Sequence, residues 1–204
     1  MADSRPGARL RGPHVTATGS RTSVSDSILF GDVLVTRTDE RVTARLASDD
    51  SVVVTIERRG PRTRKNVPIG TRAPHALTAR VNEREITVTP GRGTIFKRTY
   101  RILVDTGDRF LSIRPKTIDT CEFVAGRPHE TEKTFGELRA LPDGRIDISW
   151  AATTTIPVLG KTVVPPEPTA EDVLIGCALA AAFGTGALSL TAIVTGLVAA
   201  AIPG

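Results

Sequence analysis

Residues 172–204 read DVLIGCALAAAFGTGALSLTAIVTGLVAAAIPG, and after Asp172 no side chain carries a charge. A helix that is apolar on every side is buried in lipid or in a protein core, so the fold turns on which of the two takes this run. Its length favours lipid: the 30 residues from Val173 to Ile202 exceed the roughly 20 that cross a bilayer. Its composition does not, because 18 of the 32 residues after Asp172 are Ala, Gly, Ser or Thr, which insert more weakly than Leu. The flanks lack a Trp or Tyr belt, and the residues before the run include Glu167, Glu171 and Asp172 where an anchor would carry Lys or Arg.

Spacing divides the run. Gly176, Ala180 and Gly184 recur every four residues, and Ala192, Gly196 and Ala200 continue that phase after Leu188. Such a stripe lets another chain approach a helix closely, in a membrane or inside a protein. The segment GTGALS at 184–189 predicts a break and hence two apolar helices. The first is predicted to start near Ala170, with Thr169 as N-cap and Asp172 completing a capping box.

Upstream, the pattern changes to short alternating runs. RVTARLA places Val42, Ala44 and Leu46 on one face, and SVVVTIE does the same for Val52, Val54 and Ile56. Leu77, Ala79 and Val81 follow, then Ile86 and Val88, then the runs TYRILVD, RFLSIRP and TCEFVAG, and finally Ile146, Ile148 and Trp150. Between them lie turn-forming stretches such as ASDDS, DTGDR and LPDGR, where Asp143-Gly144 suits a hairpin. Eight to ten strands fit between residues 28 and 164. With no amphipathic helix among them, they predict a mainly β, antiparallel barrel or sandwich of about 8–12 strands with a C-terminal apolar helix or helical hairpin. The domain reading is a basic disordered arm at 1–26, the β domain at 27–164, a Pro-rich hinge at 165–169 and the apolar segment at 170–204.

This arrangement resembles the group formed by the tubby C-terminal domain, the LURP-one-related proteins and the phospholipid scramblases. In that group a closed antiparallel barrel wraps a hydrophobic helix. The resemblance implies that AEDVLIGCALAAAF is the core of the barrel, and that the protein binds ligands at or near a membrane. The tubby-type phosphoinositide-binding pair, the calcium segment and the cysteine run of the scramblases have no counterparts here.

Charge narrows the function. Lys and Arg total 27 against 22 Asp and Glu, and the whole surplus of +5 precedes Val173. An excess of cations favours anionic partners. With 4% aromatic residues, base-stacking nucleic-acid platforms are disfavoured. The densest cluster is ERRGPRTRKN, with Arg58, Arg59, Arg62, Arg64 and Lys65 around a Gly-Pro turn; a second group holds Arg92, Lys97, Arg98 and Arg101. Anionic phospholipid or another phosphate-bearing ligand is the expected partner of these loops. The alternative is a tail-anchored membrane protein that displays the β domain to a protein partner.

Catalytic signals are thin. His129 beside Glu130 and Glu132 has no second ligand at metal spacing, and no Gly-x-Ser-x-Gly elbow is present. Cys121, between Asp119 and Glu122, is a poor nucleophile because carboxylates oppose the thiolate. The expectation is a non-enzymatic protein without cofactor or metal. Two isolated cysteines and an N-terminus without an apolar core predict a cytoplasmic protein, or one on the cytoplasmic face of a membrane.

Overall fold

The computed structural model describes residues 19–94, 96–128, 131–156 and 161–186. Eleven strands follow one another as an antiparallel meander in which each pairs with its sequence neighbours. They are β1 (Arg21–Ser27), β2 (Gly31–Arg37), β3 (Arg41–Leu46), β4 (Val53–Arg58), β5 (Leu77–Val81), β6 (Arg84–Pro90), β7 (Ile102–Asp105), β8 (Phe110–Pro115), β9 (Thr120–Ala125), β10 (Lys133–Ala140) and β11 (Ile146–Trp150). A separate hairpin, β12 (Thr154–Ile156) with β13 (Lys161–Val163), leads to helix α1 (Ala170–Phe183).

The sheet curls into a nearly closed barrel because its inward positions are apolar and its outward ones polar. Val42, Ala44 and Leu46 of β3 are buried, as are Val54 and Ile56 of β4, Ala79 and Val81 of β5, and Ile86 and Val88 of β6. The core they enclose is α1. Every residue of α1 from Asp172 to Phe183 is buried, and the helix packs on β2, β3, β4, β8, β10 and β11. A helix surrounded by a barrel wall has no polar face to spare, which explains its uniform apolarity. The run from Val173 onward is therefore core in its first half; the expected second helix lies outside the described residues.

Small residues on α1 set its distance from the wall. A methyl group at Gly176 would stand 3.2 Å from Leu138 Cδ1 and 3.4 Å from Phe123 Cε1, so the wall's side chains occupy the space a larger residue would need. Ala180 is buried, and Gly184 ends the helix at φ +79°, donating its N–H to the Ala180 carbonyl. At Gly176 the small residue thus serves close packing inside the barrel, whereas a methyl group at Gly184 would meet nothing within 4 Å and that glycine serves the helix end. Ala192, Gly196 and Ala200, the continuation of the stripe, lie outside the described residues. Thr169 and Asp172 form the expected capping box.

The segment read as a disordered arm to residue 26 contributes β1, so that boundary moves back to Arg21. Its composition misled because its inward positions are serines. Ser25 and Ser27 are buried, while Val24 faces outward and is exposed. The hydroxyls of Ser25 and Ser23 close the barrel: Ser25 Oγ accepts the Ile146 N–H at 2.7 Å, and Ser23 Oγ donates to the Gly144 carbonyl at 2.8 Å. β1 and β11 are joined by side chains in place of a backbone ladder.

Candidate functional site

Alternating strand direction sends the connections to two opposite ends of the barrel. At the end where α1 begins lie the β1–β2, β3–β4, β5–β6 and β7–β8 turns. At the end where α1 finishes lie residues 38–40, the long connection 59–76, residues 91–101, and the turns 116–119 and 141–145. Ile69 N–H donates to the Ala182 carbonyl and Thr185 Oγ1 to the Asp119 carbonyl, tying this second end to the helix terminus.

The predicted cations do not act alike. Arg58 is in phase with Val54 and Ile56, so alternation turns it inward, and its side chain is 2% exposed. It donates to the Ile69 carbonyl at 2.9 Å, to the Gly60 carbonyl and to Asp39 Oδ2 at 2.8 Å. Arg62 shares Asp39, at 3.0 Å from Nε, and also donates to the Val67 and Pro68 carbonyls. These two residues are braces of the loop, their charge met by the shared Asp39 and by Glu40, 3.7 Å from Arg58. The Arg62 guanidinium above all, helped by Arg58 and opposed by partial burial, holds the Asp39 carboxyl below its ordinary value. Arg101 likewise is bound to Glu132 and Ser112.

Arg59, Arg64, Lys65 and Arg98 remain without an ion pair among the described residues. Arg64 donates to the Gly93 carbonyl, and Arg98 stacks 5.5 Å over Phe96. Arg92 and Lys97 of the second sequence group lie at the same end, which adds three cations that sequence reasoning left out, Arg21, Arg37 and Arg72; all five are equally free of ion pairs among the described residues. Arg21, Arg37, Asp39, Arg62, Lys65 and Asn66 line an open cleft of about 500 Å³. Most carboxylates at this end are engaged, Asp39 with Arg58 and Arg62, Glu40 with Arg58, Asp119 with Arg139, Asp143 with Arg145 and Glu137 with Lys116, and Asp147 alone of those near its turns is without an ion pair among the described residues. We term it the basic end.

Arg72 is buried beneath these loops. It donates to the Gly91 carbonyl at 2.8 Å and the Tyr100 carbonyl at 2.7 Å, and its guanidinium lies 5.4 Å from the Tyr100 ring and 5.7 Å from that of Phe183. Burial pushes its pKa down to about 10, which leaves it charged at neutral pH. It pins the 91–101 loop onto the end of α1 and adds charge from below.

The opposite end inverts the pattern. Asp26, Asp32, Asp49, Asp50, Glu83, Asp105 and Asp108 form no ion pair among the described residues and outnumber the unpaired cations there, Arg45, Arg127 and Lys133, while Arg84 and Arg109 are held by Glu171 and Asp172. Hydrogen bonds from Ser51 and Thr106 keep Asp49 and Asp108 below the ordinary carboxylate value. Free positive charge is in excess at one end and free negative charge at the other.

Among the described residues no group of three His, Cys, Asp or Glu is placed to hold a metal ion. His129 and Glu130 lie outside the described residues. Cys121 and Cys177 are free and buried, and burial pushes both thiols up to about 12. For Cys121 burial is the larger cause, with Glu122, one of the two carboxylates the sequence pointed to, and Glu137 of β10 adding to it. Among the described residues no helix is long and apolar enough to cross a membrane.

Fold and site together define a class: an antiparallel barrel filled by its own C-terminal helix and polarised in charge from end to end. In comparisons with known proteins, no family model, curated protein or solved structure matches the chain.

Proposed function

We propose that this protein binds anionic, phosphate-bearing surfaces with the basic end of its barrel, as a binding protein and without catalysis. The observation that carries this reading is the segregation of uncompensated charge, which gives an anionic surface one end to attract and another to repel. Near an anionic bilayer each exposed Lys or Arg contributes about 1 kcal/mol, so a handful of them suffices for reversible binding. The helix-filled meander supports a further proposal, that the chain is a divergent relative of the tubby and scramblase group of barrels.

Vesicle flotation tests the binding. The wild-type chain is expected to float far more completely with vesicles containing phosphatidylserine than with phosphatidylcholine alone. The combined variant Arg59→Ala, Arg64→Ala, Lys65→Ala, Arg92→Ala and Arg98→Ala is expected to lose that selectivity. Equal recovery of both proteins on both lipids would remove the basis of this reading. Arg58 and Arg62 are left out of the variant because their loss would disturb the loop itself.

A further inference from the structure

Two large apolar side chains stand exposed at the basic end, Phe96 at 62% and Ile118 at 52%. They lie on adjoining loops, because Lys97 Nζ donates to the Lys116 carbonyl at 2.8 Å. Arg98 stacks on the Phe96 ring, and Lys97 and Arg92 are exposed beside it. Gly186 packs so tightly on the backbone of Ile118 and Asp119 that no side chain would fit there. From that point the chain continues into residues 187–202, which carry no charge. Exposed apolar residues among free cations, beside the origin of an uncharged segment, match a bilayer interface, where apolar groups meet the acyl boundary and cations meet headgroup phosphates. A soluble phosphate ligand would use the cations and leave Phe96 and Ile118 without a role.

We infer that the basic end seats on an anionic lipid bilayer, with Phe96 and Ile118 entering the acyl boundary and the barrel standing end-on, its acidic end turned away. This rests on the electrostatic binding proposed above and adds both a lipid partner and an orientation. The acidic end also exposes Ile28 and Leu29, beside Asp26 and Asp32, and Val163 and Val164, beside Lys133 but with Glu167 close in sequence; the excess of free carboxylates at that end is repelled by an anionic surface.

The full chain can be labelled with an environment-sensitive fluorophore at Phe96→Cys, Ile118→Cys or Asp50→Cys, because the native thiols are buried and protonated. On phosphatidylserine vesicles the first two labels are expected to shift to the blue and to be quenched by nitroxide-bearing lipid, and the third to remain in water. The unlabelled variant Phe96→Ser with Ile118→Ser, its thermal midpoint unchanged, is expected to bind about tenfold more weakly. A chain that floats while the labels at 96 and 118 stay in water overturns insertion and leaves the electrostatic reading standing. A shift of the label at 50 overturns the orientation, and absence of flotation overturns both readings. Release from vesicles by inorganic phosphate matched to the headgroup concentration overturns the bilayer as partner in favour of a soluble ligand.

Discussion

Asp39 bridges two arginines, while Arg72, buried beneath the loops, has only carbonyls and aromatic rings to face. Removing Asp39 leaves Arg58 with its carbonyl partners but no carboxylate other than Glu40 at 3.7 Å. Losing one partner of a buried pair costs about 3–5 kcal/mol, and because Asp39 is 46% exposed, Asp39→Ala is expected to cost nearer 1–2 kcal/mol in urea denaturation. The fold holds the Asp39 pKa below its ordinary 3.8, so its stabilisation is complete above 3.8 and is lost as the pH falls through the lower folded value. Asp39→Asn is accordingly expected to flatten that part of the acid limb of stability against pH. Part of this was legible in the chain. Arg58 continues the inward phase of Val54 and Ile56, and reading the alternation one step further assigns it to the barrel mouth, away from Arg59. Its partner Asp39 was not legible, because it comes from a turn 19 residues away that only the β3–β4 pairing brings near.

Helix α1 and the β1–β11 seam carry the two tests at the scale of elements. Leu174 and Leu179 are fully buried between helix and wall, so Leu179→Ala is expected to cost about 2–5 kcal/mol, the range of buried Leu truncations, as read by chemical denaturation. At the seam, Ser25→Ala leaves the Ile146 N–H without its acceptor in a buried position. A loss of about 1–3 kcal/mol is expected, with faster amide exchange at Ile146 as its local signature. The helix was legible to its cap: Thr169, Asp172 and the Gly at 184 mark both termini as the structure places them. The seam was not, since serines on alternate positions read as a solvated strand or a loop until a second strand edge is known to need their hydroxyls. β12 and β13 escaped for a simpler reason, being strands of three residues whose pairing involves only each other.

For the whole molecule, an excess of free positive charge at one end of the barrel and of free negative charge at the other makes binding to an anionic surface both oriented and sensitive to salt. The sequence showed the surplus of cations but not their segregation, which arises because the meander returns residues 59–76, 91–101 and 116–119 to the same end. The Debye length shrinks from about 10 Å at 0.1 M salt to about 3 Å at 1 M, so the contribution of the exposed cations is expected to fade over that range. The contribution of Phe96 and Ile118 depends on apolar area and persists. Flotation on phosphatidylserine vesicles is thus expected to fall steeply as salt rises and then to level off above zero, whereas Phe96→Ser with Ile118→Ser follows the same fall to no binding at all. A wild-type curve independent of salt would exclude the charge asymmetry as the cause of binding. A residual level equal in wild type and variant would assign the salt-resistant part to a surface other than the 96–118 pair.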